Sequence, residues 1–389
     1  LQEVQILKNQ MRATAADAAA AREAAANPAA PAKMVTSGTK DVSLTVSGQV
    51  NRGMLYANDG NAGKFYSVDN DASSTRVRFD GKGRVDEELS VGTRIEVQFE
   101  SNSTADVNQL SSDESATTDN FTQRKLELWF AHKRFGKLSL GQGDTASNGM
   151  SEFSLSGTDL VNYVGVADMA GGMLFSFKDN NVAGRAPVSV AASPTVGDAF
   201  SQLDGHGRQD RIRYDTPSYE GAALATSLIS GGRKWDVAGT YGATFGDQFD
   251  VQAGIGFAHD GDADNRIHGS GTVLHTPTGI SFTWSQGVEY DLANDGATRR
   301  NDQNFRYAQL GWQWPIFDFG KTYTAVDYFE NTDVATNGDY GQSYGLGIVQ
   351  KIDSAATEIY LGARNYHYSR TNANFSDIQA VLTGARVKF

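Results

Sequence analysis

From about Val42 to Phe389 apolar and polar residues alternate along the chain. That is the period of a strand whose two faces meet different surroundings. In Arg76-Val77-Arg78-Phe79-Asp80 charges occupy one face. Arg94-Ile95-Glu96-Val97-Gln98-Phe99 repeats the pattern, and Arg211-Ile212-Arg213-Tyr214-Asp215 puts three charges on one side. The alternation predicts sixteen strands, near 42–56, 74–83, 89–99, 123–134, 137–143, 207–215, 219–229, 232–245, 247–259, 264–276, 279–290, 303–314, 319–330, 339–352, 355–368 and 375–389. Before them the period is different. Leu1 to about Asn27 holds no Gly or Pro, and Val4, Leu7, Met11, Thr14, Ala18, Ala21 and Ala25 fall at three- and four-residue spacing. This is a heptad seam. A helix this short is marginal alone, so the seam predicts partner helices, against the alternative of a partly ordered Ala-rich linker. Pro28 and Pro31 end the helix. The expected plan is a helical coiled-coil segment over 1–27, a linker over 28–41 and an all-β body over 42–389.

The connections between strands alternate in length. Phe135-Gly136-Lys137, Thr216-Pro217-Ser218, Gly246-Asp247, Thr276 to Gly279, Pro315 to Asp318 and Asp353-Ser354 are tight. The connections 57–73, 100–122, 144–206, 291–302 and 331–338 are longer and polar, with 230–231 a short exception. A soluble sandwich has no reason to sort its connections this way. A transmembrane β-barrel does, with an even number of antiparallel strands, short turns at one end and longer loops at the other. An even count also puts both ends of the barrel on the tight-turn side, which in such barrels is the periplasm.

Aromatic residues fall at strand ends. Phe135, Tyr214, Tyr219, Phe245, Phe249, Trp312, Trp314, Phe317, Phe319 and Phe389 lie near the tight turns. Tyr56, Phe99, Phe257, Tyr290, Phe305, Tyr328, Phe329, Tyr366 and Phe375 lie near the long loops. Two such bands predict interfacial girdles, although aromatic residues also favour strands in general.

Composition changes little in this picture. The 389 residues include 42 Gly, 15 Tyr, 20 Phe and no Cys, with a mean hydropathy of −0.42. No stretch approaches the roughly eighteen apolar residues of a membrane helix, but a barrel strand crosses in about 9–11 residues with half of them polar. A net charge of −12 argues against nucleic acid as a partner. Without Cys there are no disulfides, thiolate metal sites or catalytic thiols. The chain opens at Leu1 without an initiator Met, as a processed or trimmed product would.

The last strand, Ala380-Val381-Leu382-Thr383-Gly384-Ala385-Arg386-Val387-Lys388-Phe389, resembles the terminal assembly signal of the trimeric general porins of Gram-negative outer membranes, with its alternation and final Phe389. Arg211 to Gly221 is similar to the RYDSPxFxG strand–turn segment of that superfamily, and Phe135 to Gln142 to the strand pair leading into their third loop. The helical front end resembles the DcaP-type porins, whose barrel follows a periplasmic trimeric coiled coil. The resemblance covers about 42–389 and implies an outer-membrane channel for passive diffusion of small polar solutes and ions. It implies a homotrimer among outer-membrane lipid and lipopolysaccharide, with helix and C-terminus periplasmic. It also implies that the third loop, 144–206 here, folds inward and narrows the channel.

On that basis the constriction acids are Asp144, Glu152, Asp159 and Asp168, facing a wall that carries Arg76, Arg78, Arg94, Arg211, Arg213, Arg364 and Arg386. Arg stays charged across the working pH range, so acids opposite arginines would hold a transverse field. The alternative ties some of these arginines to Glu96, Asp80 or Asp215 as structural ion pairs. Anion or cation preference stays open, since the net charge and the arginine wall point opposite ways. No cofactor is expected. Asp260, Asp262 and Asp264 alternate as at the start of a calcium loop, but the later bidentate Glu is missing, and a polar hairpin tip is the preferred reading. His132, His206, His259, His268, His275 and His367 join no nucleophile motif, so an enzyme is not expected. Two rivals remain: a substrate-specific channel of sixteen to eighteen strands for small anionic or zwitterionic nutrients, and an envelope tether whose helix contacts peptidoglycan.

Overall fold

The computed structural model describes residues 33–36, 42–113, 121–178, 193–261, 263–291, 301–371 and 373–389. The expected helical segment with its seam of Val4, Leu7 and Met11 lies outside them, as does Asp262.

Sixteen antiparallel strands close into a barrel. They are β1 (Val42–Asn58), β2 (Gly63–Asp69 continued by Arg76–Arg84), β3 (Leu89–Phe99), β4 (Phe121–His132), β5 (Gly136–Asp144), β6 (Arg208–Asp215), β7 (Ala222–Ile229), β8 (Lys234–Phe245), β9 (Phe249–Asp260), β10 (Asp264–His275), β11 (Ile280–Asp291), β12 (Gln303–Phe317), β13 (Gly320–Thr332), β14 (Tyr340–Ile352), β15 (Thr357–Arg370) and β16 (Ile378–Lys388). Each pairs with its sequence neighbour, and β16 returns to β1 with Gln379 opposite Asn58 and Lys388 opposite Gln49. Closure leaves no sheet edge unpaired, which a lipid environment demands. Lys33–Thr36, inside the expected linker, adds a short strand along Ser43–Val46. A two-residue segment, Ala373–Asn374, extends the pairing of β15.

The side-chain pattern is inverted relative to a soluble sheet. On β12, Gln303, Phe305, Tyr307 and Gln309 point inward and are buried, while Leu310 and Trp312 point outward and are exposed. Outward Leu224, Ile255 and Leu346 are 64%, 61% and 56% exposed. Large apolar side chains facing out over polar ones facing in are what a lipid-embedded wall requires.

The tight turns fall where the chain chemistry allows. Gly136 opens β5 at φ 87, and a Cβ there would stand 2.1 Å from the Asp215 carbonyl oxygen, so only Gly serves. At this end Phe135, Tyr219, Phe245, Phe317, Phe319 and Phe389 are exposed outward, as a girdle requires. The Trp312 and Trp314 rings stack 4.5 Å apart. The other end corrects the expectation. Phe99 and Tyr290 are exposed, but Phe305, Phe329, Tyr366 and Phe375 are buried on the inner side. They pack with Phe175 and Phe200 of the long loop, forming the largest hydrophobic cluster of the described residues. Aromatic residues at that end face inward because a loop fills the barrel there and offers them an apolar partner.

β2 is broken by a short turn at Asp71–Ser73. The sheet position left beside Asp69 is taken by the loop after β3, with the Asp69 N–H donating to the Asn102 carbonyl (2.8 Å) and the Thr104 N–H to the Asp69 carbonyl (3.0 Å). The predicted loop 57–73 therefore contains a further stretch of wall.

Candidate pore constriction

The described residues between β5 and β6 turn into the barrel and lie against the wall from β7 to β15. The root of this loop is held by Asp236 on β8, which is fully buried. The backbone N–H groups of Ala146 and Ser147 donate to its carboxylate at 3.2 and 2.9 Å, the Ser147 hydroxyl donates at 2.6 Å, and the Ser227 hydroxyl donates as well. Further on, Ser270 anchors the loop through Met150 O and Phe153 N, and Gln309 Nε2 donates to Asn162 O at 2.8 Å. The wall is thinned where the loop presses on it. A Cβ on Gly254 would come within 2.4 Å of the Phe153 ring, and one on Gly362 within 2.6 Å of Val161. Small inward residues let a polypeptide lie inside the barrel at close-packed density.

Ser151, His268 and Asp204 meet at this contact, with Ser151 Oγ 2.9 Å from His268 Nδ1 and His268 Nδ1 3.6 Å from Asp204 Oδ1. Ser151 and His268 are each 1% exposed. Neither reaches the lumen, so the trio fastens the loop and offers no nucleophile to a solute.

The loop acids then face a basic wall. Glu152 and Asp159 are exposed to the lumen, and Asp168 is partly exposed and accepts from the Tyr163 hydroxyl. Asp144 stands at the loop root and is paired with Lys125. Across the channel, Glu96 on β3 serves three guanidinium groups, with Arg78 at 2.5 Å, Arg124 at 2.8 Å and Arg76 at 3.7 Å. Ser73 Oγ accepts from Arg76 (2.8 Å) and from Arg386 (2.7 Å), which bridges the cluster to β16. There Arg386 and Lys388 share Glu358 at 2.5 and 3.1 Å.

The other predicted arginines are placed differently. Arg94 pairs with Asp80 (2.6 Å) nearer the tight turns, Arg213 with Asp215 (2.7 Å), and Arg211 with Glu127 (2.6 Å) while also donating to two carbonyls. Arg364 is beneath the loop, 1% exposed, with both terminal nitrogens on Asp327 and with Val161, Tyr163, Asp168 and Met169 around it. Asp260 pairs with Lys234 at 2.6 Å, and Asp264 lies 3.6 Å from Arg266, the arrangement of a polar hairpin tip. Among the described residues no metal-binding group of three His, Asp or Glu forms.

Arg124, Lys125 and Arg208 were absent from the sequence expectation. Strict alternation turns only one of Arg124 and Lys125 inward. The ladder between β3 and β4 slips between Glu96 and Val97, leaving Arg124 as the extra residue, so that both side chains reach inward partners. Arg208 is the first residue of β6 and follows Gly207 at φ 66, where the alternation of the strand does not yet apply.

Enclosure sets the charge of the acids outside the strands. Loss of bulk hydration inside the barrel raises Asp159 to about 6, and the same loss together with the Asp71 charge raises Asp168 to about 7. Glu100, just beyond β3, is pushed up to about 8 by burial and by the neighbouring Asp71 and Asp69. These groups take up protons as pH falls through that range, whereas the guanidinium groups keep their charge. The channel should therefore favour anions increasingly as pH is lowered from about 8 to 5. Reversal potentials in a salt gradient across that series check this, and a flat series would remove these acids from the current path.

No curated protein matches the chain at a significant level. Among solved structures it is similar to an anion-selective porin from Comamonas acidovorans, at 14% identity and a TM-score of 0.58 over 90% of this chain and 100% of that one. It is similar also to the outer membrane channel DcaP of Acinetobacter baumannii, at 13% identity and a TM-score of 0.53 over 90% and 99% of the two chains. OmpF of Salmonella typhi matches at 11% identity and a TM-score of 0.53 over 92% and 100%. Identities this low speak for the fold. The family model for Gram-negative porins matches residues 13–371. With that span matched and a closed sixteen-stranded barrel around an inward loop, this protein belongs to the Gram-negative porin family, whose members are outer-membrane channels and not enzymes.

Proposed function

We propose that the protein is a water-filled diffusion channel of the outer membrane for small polar solutes and ions, with a preference for anions. The observation that carries the preference is the sharing of Glu96 by Arg76, Arg78 and Arg124. Along the wall from β16 to β6, Lys388, Arg386, Arg76, Arg78, Arg124, Lys125 and Arg208 are answered by Glu358, Glu96 and Asp144. The facing loop acids are held above the usual carboxylate range and so offset this surplus incompletely. The chain's net charge of −12 does not contradict a basic lumen, because charge on outer loops and turns adds to the total without lining the pore. Anion selectivity is also what the name of the Comamonas porin says of that protein.

The same reading makes the protein a homotrimer with both ends of its barrel in the periplasm. Arg52 points outward from the middle of β1, 41% exposed in its side chain and paired with Asp69. A charged side chain on the lipid face near mid-bilayer costs about 2–4 kcal/mol, and a neighbouring copy would cover it. A trimer form is recorded for OmpT of Vibrio cholerae, a similar barrel. The heptad seam of Val4, Leu7 and Met11 would hold three copies together from the periplasmic side. Phe389 pairs with Gly48 at the tight-turn end, consistent with a periplasmic C-terminus. The outward apolar wall would meet outer-membrane lipid and lipopolysaccharide.

Single-channel recording in planar bilayers tests this reading. Stable steps that close in threes, with a reversal potential on the anion side, are expected. The pair Arg76→Gln and Arg124→Gln should shift that potential towards cations. Cation selectivity of the unmodified channel at neutral pH would overturn the anion preference, and absence of current from folded protein would overturn the channel.

A further inference from the structure

Where β2 breaks, the loop after β3 runs from the outer face of the wall to its inner side. On the outer face Arg52 of β1 stands opposite Asp69 of β2 and is paired with it. Arg52 also donates to the Ser101 hydroxyl at 2.6 Å. The Asp69 carboxylate, 3% exposed, accepts in addition from the Ser101 N–H (2.9 Å), the Asn102 N–H (3.3 Å) and the Thr75 hydroxyl (3.2 Å). The chain then passes inward. Thr104 is fully buried, and its hydroxyl accepts from the Asp71 N–H at 3.0 Å and donates to the Asp168 carbonyl at 2.6 Å. The Gly172 N–H donates to the Thr104 carbonyl at 3.3 Å. Gln109 clasps Leu174, its Nε2 donating to that residue's carbonyl (2.7 Å) and its Oε1 accepting from the N–H (3.0 Å). The two segments lie in close contact, since a Cβ on Gly172 would stand 2.5 Å from the Val107 carbonyl oxygen. Residues 101–109 thus join an ion pair on the outer surface to the stretch of inner loop that carries Asp168.

We propose that Arg52 is a positioning residue for the constriction and acts on it from the outer face of the barrel. It fixes the Asp69 carboxylate and Ser101, and residues 101–109 pass that fixed position to the inner loop at Asp168, Gly172 and Leu174. The inference rests on the reading of the barrel as an open channel. The anchors at Asp236, Ser270 and Gln309 hold the inner loop as far as Asn162. Beyond them residues 104–109 supply contacts to Asp168, Gly172 and Leu174. Without Arg52 the Asp69 carboxylate stays charged in a poorly hydrated place with no cation beside it, an arrangement that a protein relieves by moving. Turning that carboxylate towards water releases the Ser101 and Asn102 amides, and with them the outer end of the lever. Arg52 does not line the lumen. Loss of a distant charge would change the current uniformly, whereas a loosened loop gives the channel a second conductance level.

Bilayer recording of the full-length protein tests this, read as the fraction of open time spent in a second conductance level. Arg52→Gln should raise that fraction by on the order of fivefold, the size that a partly exposed charge contact supports. Arg52→Lys, which keeps the charge, should stay near the unmodified protein. Thr104→Val removes the hydroxyl between Asp71 and Asp168 with little change of shape, and should produce the same second level. The double variant should do no more than the larger single change, because both cut one path. Asp69→Asn leaves Arg52 in place, should repeat the effect, and carries the test if Arg52→Gln fails to assemble. Recordings of Arg52→Gln or Asp69→Asn as quiet as those of the unmodified protein would overturn the proposal. So would effects of Arg52→Gln and Thr104→Val that multiply in the double variant, since the two would then be independent supports. Absence of current from folded unmodified protein would instead defeat the open-channel reading, and the positioning role with it.

Discussion

Replacing Asp236 with Leu is expected to detach the root of the inward loop and convert a quiet channel into one of larger, flickering conductance. Asp236 is fully buried and receives two backbone N–H groups and the Ser147 and Ser227 hydroxyls. A hydrogen bond to a charged group contributes about 1.5–3 kcal/mol. Removing the carboxylate also leaves the Ser147 amide without its acceptor, while the Ala146 amide keeps the Ser227 hydroxyl at 2.6 Å. The rest of the loop stays attached through Ser270 and Gln309, so the barrel itself should remain folded. Bilayer recordings of the variant decide the matter. Openings of unchanged size and unchanged quietness would show that the contacts with β10 and β12 hold the constriction without this anchor.

Asp327→Leu should have the largest effect on stability. Arg364 and Asp327 are 1% and 0% exposed in their side chains, and the Tyr307 hydroxyl also donates to Asp327 at 3.2 Å. Breaking a buried pair by removing one partner costs about 3–5 kcal/mol, because the remaining charge stays in a poor solvent. The double change Asp327→Leu with Arg364→Met should recover much of that loss, since well-packed apolar residues replace a buried pair at little cost. Urea unfolding of the barrel refolded in detergent, followed by its heat-dependent gel shift, measures both. Equal loss in the single and double variants would mean that the pair's hydrogen bonds to its surroundings matter more than its charge balance.

These two residues mark the limit of what local pattern carries. Arg364 has the right parity to face inward, and it does so. Whether an inward arginine lines water or is covered by a loop depends on where the loop lies, which no periodicity reports. The aromatic residues at the loop end show the same limit. Phe305 shares its face with Gln303, Tyr307 and Gln309, whereas Leu310 and Trp312 share the other. Position near a strand end suggested a girdle, but face parity was the better guide, and the apolar partner that made an inward Phe stable came from Phe175 and Phe200 far along the chain. Arg124 needed knowledge of the opposite strand, because a bulge is a property of a pair.

The sixteen staves, apart from the Gly63–Asp69 stretch of β2 that reads as loop, and most of the tight turns were legible from the chain alone, because strand period and turn residues are local properties of a few consecutive residues. The asymmetry of the connections implied a barrel in a membrane for the same reason: loop length is counted along the chain. The placement of the long loop, the identity of the arginines left at the aperture and the fate of each inward aromatic side chain came from packing across the barrel. Those depend on contacts between residues such as Ser147 and Asp236, or Gln309 and Asn162, separated by tens to hundreds of positions. Contacts of that kind are set by closure of the sheet and by the volume it leaves inside.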